Sequence, residues 1–544
     1  MTDFQRELLK GREKLLFYYD RSDISIKIED EDNDLETLNI NLKYNYYFDL
    51  SSVNIAEFKE NLKEKGYISE ERFNLVTTED DFSFEHIVNF KIYLSELKKV
   101  DSLSNLSDEE IVEYIEEKIY SKTFKNIVFN IGLVEAISYY KILPVQNFIV
   151  VGELTEFQKD WWSKLFVKGL GEYRYLNNLL SIKEEDFVNI ISNPSTPEVD
   201  IEDREEASKY INIEKQGFLI PVGGGKDSVV TLELLSEYKD KNTMYAVDLK
   251  GARRATIDAA GYNYNEIVQV DREFDPKLKE KNDMGYFNGH IPFSAVIAFT
   301  STLTAYILSK KYIALSNESS ANEPTVIGSD INHQYSKSIE FEKDFRNYLE
   351  SLNIDIEYFS MLRPLTEVTI AKLFSKYTKY HNVFNSCNVG SKGENWSWCN
   401  NCPKCLFAYI ILAPSLYKDK LVEIFGYDIF ENENLLEDML KLIGKRDVKP
   451  FECVGTKEET IFSLNKLMEK LNVNEETNDL PYLLDKYKEI YLNELNRKKS
   501  KLEEKEIRMQ KKIDQNVNLY NVFVNDNFLP DFLEEKLRQI TIEE

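Results

Sequence analysis

Cysteine and histidine are scarce in this chain of 544 residues, which contains five cysteines and four histidines. Four of the cysteines fall within nineteen positions, from Cys387 to Cys405. A single dense cluster excludes a disulfide framework spread over the chain and indicates a metal site in a reducing compartment. The sequence therefore predicts a cytoplasmic protein.

Basic residues are scarce relative to acidic ones, with 68 Lys and Arg against 95 Asp and Glu and a net charge of −27. A surface of this sign repels a phosphate backbone, which disfavours broad binding to nucleic acid or to an anionic membrane. A local basic pocket can still bind a small anionic substrate. We expect a small-molecule partner, no nucleic acid and no membrane; the oligomeric state stays open.

Long apolar runs are nearly absent. The segment Ile291–Ser309 has 19 residues without a charge, which is at the threshold for a membrane span. It contains several Ser and Thr residues and begins with Pro292, so we predict a buried helix with this proline in its first turn. The charged N-terminus lacks the apolar region of a signal peptide.

Residues 1–200 are expected to form an N-terminal α+β domain of unknown role. Apolar and polar residues alternate at Ile24–Ile28 and at Leu38–Tyr44, which predicts two strands joined by a turn at Glu29–Asp32. Helical patterns follow at Asp108–Ser121 and at Thr155–Lys168. Phe148–Val151 is a further predicted strand, and this region contains no motif that indicates chemistry.

From Gly217 onward, apolar runs typical of buried strands alternate with helical patterns. The predicted strands after the first, which begins at Phe218, are Met244–Val247, Ile267–Val270 and Tyr312–Leu315. This alternation predicts an α/β fold with a Rossmann-like, doubly wound parallel sheet and right-handed crossovers. We assign residues 201–456 to this catalytic domain and residues 457–544 to a charged helical tail, with a solvated helix at Lys498–Lys512.

The first of these strands leads into three glycines and then a helical pattern, which places free backbone amides and a helix N-terminus where an anion can bind. A Walker A loop needs glycine at Ile220, and a dinucleotide fingerprint needs glycine at Ser228, so both are excluded. The segment instead fits the PP-loop of ATP pyrophosphatases, Ser-Gly-Gly-x-Asp-Ser, with Gly223 replacing the first serine. The alternative is an ordinary tight turn. The predicted ATP-binding residues are Gly223, Gly224, Gly225, Lys226, Asp227 and Ser228.

Polar side chains follow the predicted strands, at the edge of the sheet where ligands bind. Asp248 follows the second strand and is assigned to ATP. The carboxylates of Glu318 and Glu323 follow a later strand and suit Mg²⁺ near a triphosphate. Three basic residues after the second strand suit an anionic substrate, although a solvated helix start is the simpler interpretation of each: Lys250, Arg253 and Arg254.

Cys399, Cys402 and Cys405 are spaced three residues apart, and Cys387 lies upstream. Four thiolates can complete a closed tetrahedral zinc site, and we predict structural zinc. Three closely spaced cysteines also suit an iron–sulfur cluster, which remains the alternative.

Several motifs between Gly217 and Glu458 occur in the order found in known enzymes. They resemble 7-cyano-7-deazaguanine synthase and, more closely, the UDP-N-acetylmuramoyl-L-alanyl-L-glutamate epimerase family. The resemblance implies an ATP-dependent enzyme acting on a nucleotide-sugar peptide in peptidoglycan precursor synthesis. The motifs are Pro221–Ser228, Asn288–Pro292, Ser316–Glu318, Ser320–Glu323, Asn332–Ser338, Arg363–Leu365, Trp398–Cys405 and Pro450–Thr456.

The resemblance implies an isomerase that inverts a terminal L-glutamate through an acyl-adenylate, with ATP, Mg²⁺ and structural Zn²⁺ as cofactors. The candidate proton-transfer bases are His333, Lys337 and Cys453, and Asp227 is placed near the metal. Candidate substrate ligands, besides the three basic residues, are Asn317, Asn322 and Arg363. The alternatives are a PP-loop ligase or amidotransferase-like enzyme acting on a deazaguanine-type base or another carboxylate, a tRNA-thiolating enzyme, and a non-enzymatic ATP-binding module.

Overall fold

The computed structural model describes residues 2–31, 35–51, 82–193, 213–326, 328–390, 396–507 and 518–543. Ten strands of these residues form one mixed sheet. In chain order they are β1 (Leu16–Glu31), β2 (Leu35–Asp49), β3 (Ser83–Tyr93), β4 (Asn147–Val151), β5 (Asn189–Asn193), β6 (Phe218–Pro221), β7 (Thr243–Val247), β8 (Ile267–Phe274), β9 (Tyr312–Leu315) and β10 (Glu357–Ser360). Their order across the sheet is β10-β9-β6-β7-β8-β3-β2-β1-β4-β5.

Eighteen α-helices are found in the described residues. They are α1 (Asp3–Leu8), α2 (Asp108–Ile119), α3 (Lys122–Tyr140), α4 (Glu156–Gly169), α5 (Gly171–Leu176), α6 (Glu184–Phe187), α7 (Lys226–Leu234), α8 (Ala252–Ala259), α9 (Pro276–Asp283), α10 (Phe293–Ile307), α11 (Ile339–Ser351), α12 (Glu367–Lys376), α13 (Pro403–Leu412), α14 (Lys418–Phe425), α15 (Leu436–Leu442), α16 (Lys457–Lys470), α17 (Tyr482–Ile507) and α18 (Asp531–Glu543).

The sheet continues across the domain boundary predicted near residue 200. The five strands from β6 to β10 pair in parallel, but β3 pairs antiparallel with β8 and carries the N-terminal strands into the same sheet. The expectation of a parallel sheet therefore holds for those five strands, and the whole sheet is mixed. The N-terminal strands do not form a sheet of their own.

The extension of β8 explains this difference. The sequence predicts that β8 ends at Val270, because Asp271 and the residues after it are polar. In the structure β8 runs on to Phe274, and Asn89 of β3 pairs with Asp271. Arg272 bonds the buried carboxylate of Glu135 on α3, with Nε and Oε1 2.7 Å apart. A charged residue whose side chain has an ion-pair partner can thus lie within a strand at a position where the polar sequence predicts the end of that strand.

Alternate residues of the parallel strands face two different cores. Ile220 of β6 and Met244 of β7 pack in a core with α7, α8 and α13, whereas Leu219 and Tyr245 pack in the core that contains α10 and α11. The second core also holds the apolar residues of β1, β2 and β3. Helices therefore cover both faces of the parallel strands, as their continuous apolar sequences predict.

Most predicted elements are confirmed with shifted ends. The uncharged segment forms the buried helix α10, and Pro292 lies immediately before it. Its hydroxyl groups bond helix carbonyls, as Thr302 Oγ1 does to Ala298 O at 2.8 Å, which satisfies polar atoms in an apolar core. None of the described helices has the length and apolarity needed to cross a bilayer.

The turn predicted at Glu29–Asp32 is wrong in part, because β1 continues to Glu31 and the next described residue is Leu35.

The C-terminal region packs on the parallel part of the sheet. Leu483 and Leu537 are buried in the same core as α7 and α13. Lys536 Nζ donates to the Leu234 carbonyl at 2.7 Å, and the backbone of Val524 bonds Pro364. The charged segment is helical to Ile507, and residues 508–512 of the predicted solvated helix lie outside the described residues.

Candidate active site

The glycine loop joins β6 to α7. Gly225 caps α7, and Lys226 begins it. The Gly223 amide donates to Ser228 Oγ at 3.0 Å, which closes the loop on the first turn of the helix. The strand, the glycines and the helix start are therefore arranged as the sequence predicts, with the helix N-terminus directed at the space above the loop.

Gly224 is the loop position that requires glycine. Its φ is +84°, and a Cβ there would lie 2.8 Å from the backbone of Ala252 and of Arg253 at the start of α8. Its carbonyl accepts from the Asn385 amide at 2.9 Å. By contrast, a Cβ on Gly223 would meet only Ser228 Oγ, at 3.7 Å. The serine of the usual motif would thus fit at position 223, and Gly224 holds the loop against α8.

The side chain of Lys226 is buried among acidic residues and does not line the cavity described below. Its Nζ contacts the carboxylates of Asp227 and Glu367. Burial acts to lower the pKa of Lys226, but Asp227, Glu367 and Glu318 raise it above its ordinary value. Burial in turn raises the pKa of both Glu318 and Glu367. Lys226 therefore balances charge beneath the loop, and the geometry gives no support for its predicted contact with ATP.

A cavity of about 240 Å³ opens above the loop. Seven predicted site residues line it: Gly223, Gly225, Asp227, Ser228, Arg253, Asn317 and Lys337. Further polar residues in the lining are Ser294, Ser316, Asn385, Ser386, Asn388 and Lys404. The glycine loop, one predicted base and several hydrogen-bonding side chains thus surround one space.

The three predicted basic ligands differ in placement. Arg253 lines the cavity and donates to the Asp248 carbonyl at 2.9 Å. Arg254 forms an ion pair with Asp258 one turn further along α8, at 2.8 Å. Lys250 is exposed. Of these three residues, Arg253 is therefore the one that can contact an anion in the cavity. Asp248, which was predicted to bind ATP, contacts Arg253 but is not among the residues that line the cavity.

Several other predicted ligands are occupied by the protein itself. The Arg363 guanidinium is fully buried and donates to the Glu318 carbonyl at 2.7 Å and to Glu342 at 3.0 Å. Asn322 accepts from the first amide of α11 at 2.8 Å. Glu323 forms an ion pair with Lys449. The prediction that these three bind substrate or Mg²⁺ finds no support in this geometry, because other protein groups take their bonds.

The three candidate bases come together beside the cavity. Lys337 Nζ donates to Cys453 Sγ at 3.3 Å. His333 lies on the other side of this thiol, and its Nδ1 bonds a carboxylate oxygen of Glu172. The ring of His290 lies 4.2 Å from that of His333. For the role proposed below, we call Glu172, His333, Lys337 and Cys453 the proton-transfer cluster.

The cluster inverts the usual charge states of a thiol and an imidazole. Burial acts to raise the pKa of Cys453, yet Lys337, Lys404 and His333 hold it well below its usual value. Burial acts to lower the pKa of His333, but Cys453 and Glu172 raise it to about 9. Near neutral pH the arrangement favours a thiolate beside an imidazolium.

The four clustered cysteines lie together in space. Their sulfur atoms are within 4.8 Å of one another, and Cys402 Sγ is 3.4 Å from Cys405 Sγ at the start of α13. Four thiols at these distances form a candidate metal site with the donor set of tetrahedral zinc. Ser386 and Asn388 flank Cys387, and Lys404 lies between two of the cysteines, so the cluster also fixes part of the cavity wall.

Sequence reasoning missed Glu172, His290 and Lys404. Glu172 lies in the region that shows no chemical motif, and a single glutamate in a helix carries no signal. His290 belongs to one of the matching motifs, but a lone histidine carries no signal of its contact with His333. Lys404 lies between Cys402 and Cys405, where the cysteine spacing predicts a metal site and nothing about the lysine.

Two models of one protein family together match most of the chain. Residues 89–361 match the family model of the MurL N-terminal domain, and residues 383–493 match that of the MurL C-terminal domain. The first match crosses residue 200, as the sheet does.

Three curated relatives bear the name UDP-N-acetyl-alpha-D-muramoyl-L-alanyl-L-glutamate epimerase. The Micromonospora sp. protein is 33% identical over 353 residues, covering 64% of this chain and 76% of the relative. The Salinispora tropica protein is 32% identical over 358 residues, covering 64% and 74%. The Xanthomonas oryzae pv. oryzae protein is 30% identical over 342 residues, covering 60% and 71%.

Proposed function

Because the chain belongs to the MurL family of UDP-N-acetyl-alpha-D-muramoyl-L-alanyl-L-glutamate epimerases, we propose that it inverts the terminal L-glutamate of this UDP-muramoyl dipeptide to D-glutamate. The reaction consumes ATP and releases AMP and diphosphate. One observation carries the proposal. Lys337 lines the cavity together with the glycine loop, which is the proposed ATP site, and it also bonds Cys453, which is a candidate base.

The glycine loop is the proposed site of the ATP diphosphate. The parallel strands stand in the order β8-β7-β6-β9-β10. From β6 the chain crosses to β7 and β8 on one side, and it then returns to form β9 and β10 on the other side. The direction of the crossovers therefore reverses between β6 and β9. Ligands of wound α/β sheets bind at such a point, beyond the carboxyl ends of the strands. This order supports a Rossmann-like, PP-loop assignment. Ser228 and Arg253, which both line the cavity, are the proposed phosphate ligands.

Activation explains why an epimerase would use ATP. While the glutamate carboxylate is charged, loss of the neighbouring α-proton would place a second negative charge beside the first. Attack of the carboxylate on the α-phosphorus forms an acyl-adenylate and expels diphosphate, so the negative carboxylate becomes an electron-withdrawing carbonyl. The Cα–H bond then becomes acidic enough for a side-chain base.

The proton-transfer cluster supplies one base and one acid. The Cys453 thiolate removes the α-proton, and the electron pair of the broken C–H bond moves into the acyl carbonyl. The His333 imidazolium returns a proton to the opposite face of the planar carbon, which inverts it. Hydrolysis of the adenylate releases AMP, and the proton on Cys453 passes to His333 to restore the starting state.

Two metals fit the residues present. Asp227 lines the cavity and, with Glu318 nearby, is the proposed Mg²⁺ ligand; the ion would neutralise charge on the leaving diphosphate. The four clustered cysteines are the proposed structural Zn²⁺ ligands, because a closed set of four thiolates leaves no open position for chemistry.

The test is an incubation of the protein with ATP, Mg²⁺ and the UDP-muramoyl dipeptide in D₂O. We expect D-glutamyl product with deuterium at Cα, together with AMP and diphosphate, and none of these without ATP. Inversion without solvent deuterium, or exchange without ATP, would rule out adenylation first. Diphosphate release with a deazaguanine carboxylate and not with the dipeptide would instead favour the ligase alternative.

A further inference from the structure

Glu172 belongs to the N-terminal part of the chain, yet it contacts the proton-transfer cluster. It lies in the first turn of α5, directly after α4. Lys164 and Lys168 of α4 form ion pairs with Asp344 and Glu340 of α11, at 2.6 and 2.7 Å. These pairs fix α4 against the part of the structure that carries His333. The packing of α4 against α11 therefore brings Glu172 to the side of His333.

The contact with His333 has a defined chemical direction. His333 Nδ1 bonds the Glu172 carboxylate, so the proton of that bond lies on Nδ1 and the other ring nitrogen is left for Cys453 or substrate. The His333 backbone amide is itself held by Thr325 Oγ1 at 3.0 Å. The orientation of the ring and the protonation of Nδ1 are thus both set by groups that do not line the cavity.

Charge balance around the ring also depends on Glu172. His290 lies against His333, but burial and the charges of His333 and Lys337 lower its pKa to about 3, so it stays neutral. Lys337 and Lys404 face Cys453, Glu452 lies beside the same thiol, and Glu318 faces Lys337. Among these groups, the Glu172 carboxylate is the anion bonded to the His333 ring at Nδ1.

We infer that Glu172 is a positioning residue that holds His333 as the proton donor of the proton-transfer cluster, so that the N-terminal region completes the active site. The inference rests on the proposed epimerase function. Carboxylate, imidazole and thiol then form a hydrogen-bonded series in which Glu172 orients and charges His333 without touching substrate. Loss of the carboxylate should weaken proton return and leave ATP activation intact.

A metal ion is the competing interpretation of the same residues. One ligand atom from each of Glu172, His290 and His333 lies within 4.8 Å of the others. However, the direct bond between Nδ1 and the carboxylate oxygen is the arrangement expected of an oriented imidazole. The geometry favours the hydrogen-bonded series, and metal content distinguishes the two.

The experiment compares Glu172→Gln with wild type and with Glu156→Gln, a matched change at an exposed glutamate on α4. Two activities are measured on the full chain: dipeptide-dependent exchange of labelled diphosphate into ATP, and incorporation of deuterium at Cα. We expect Glu172→Gln to keep the first within about twofold and to lose the second by about 10²-fold, the scale of a single acid–base group. Glu156→Gln should match wild type in both.

The pH profile gives the readout that a purely structural role would not change. In wild type, Cα exchange should fall above pH 9, because His333 loses its proton there. In Glu172→Gln this limit should move to lower pH. In Glu172→Asp, which keeps the charge, it should stay near that of wild type even if the rate falls. If the Glu172→Gln protein does not fold, the pH limit of Glu172→Asp still decides whether the carboxylate acts on His333.

Three other results would separate the role of Glu172 from the epimerase proposal and from a metal site. Wild-type exchange and pH limit in Glu172→Gln would overturn the role of Glu172 while leaving the epimerase proposal standing. A wild-type protein without ATP-dependent Cα exchange would overturn the epimerase proposal itself. A bound metal ion beyond that of the cysteine cluster, lost in Glu172→Gln, would replace the hydrogen-bonded series with a metal site.

Discussion

The glycine loop lines the cavity and the proton-transfer cluster reaches it through Lys337, but the two are built in opposite ways. The loop is one continuous segment, Gly223–Ser228, whose shape follows from a buried strand, a positive φ and a helix start. The cluster takes Glu172, His333, Lys337 and Cys453 from three distant segments. The comparison indicates that the proposed ATP site depends mainly on backbone geometry within one segment, whereas the proposed proton transfer depends on packing between distant segments. Variants should therefore separate the two half-reactions.

The largest effect is expected from Gly224→Val. The change places a Cβ 2.8 Å from the backbone of Ala252 and forces a branched residue to φ +84°. Because the loop and α8 cannot then keep their contact, we expect loss of diphosphate exchange and of Cα exchange by about 10³-fold or more.

The matched control is Gly223→Ala, whose Cβ would meet only Ser228 Oγ at 3.7 Å. It should retain both activities within a few-fold. Thermal unfolding of the two variants shows whether Gly224→Val has lost the fold or only the site. Full diphosphate exchange by a folded Gly224→Val protein would remove the loop from the mechanism.

The second effect should divide the half-reactions. Cys453→Ser replaces a thiolate with a hydroxyl that stays protonated at neutral pH, so the α-proton loses its acceptor. We expect Cα exchange and inversion to fall by about 10²- to 10⁴-fold, with diphosphate exchange into ATP retained. Equal loss of both activities would mean that Cys453 serves the ATP site and that the two chemistries are not separable as proposed.

The sequence predicts the two parts of the site to different degrees, for the same physical reason. The strand, the glycines and the helix start of the loop follow from neighbouring residues and can be predicted from them, whereas the packing of Gly224 against α8 cannot. His333, Lys337 and Cys453 could be named as candidates, but their contacts arise from packing between distant segments. Glu172 could not be named, since an isolated glutamate at a helix start is ordinary. In the sheet, likewise, β8 extends past Val270 by pairing with β3 and by the bond of Arg272 to Glu135, and both partners are distant in the sequence.

The third effect concerns the cysteine cluster, which connects stability to the ATP side of the site. Cys402→Ser should reduce bound metal by one ion per chain and lower the unfolding temperature, because binding of a structural metal contributes directly to folding. Diphosphate exchange should fall roughly 10-fold through displacement of Ser386 and Lys404, and stability should suffer more than catalysis. Elemental analysis and thermal unfolding provide the measurements. Active protein that contains neither zinc nor iron would contradict the assignment.

The smallest effect tests which basic residues meet the anionic substrate. Arg254 forms an ion pair with Asp258 on the surface of α8, so Arg254→Gln should change KM for ATP and for the dipeptide by less than about twofold.

Lys404 lines the cavity, and Lys404→Gln removes a positive charge that also lowers the pKa of Cys453. We expect it to raise KM about 10-fold, the loss of one charge-assisted contact. The same change should shift alkylation of Cys453, followed by mass spectrometry of its peptide, to higher pH. The reverse ranking of Arg254 and Lys404 would move the substrate from the cavity to the outer surface of α8.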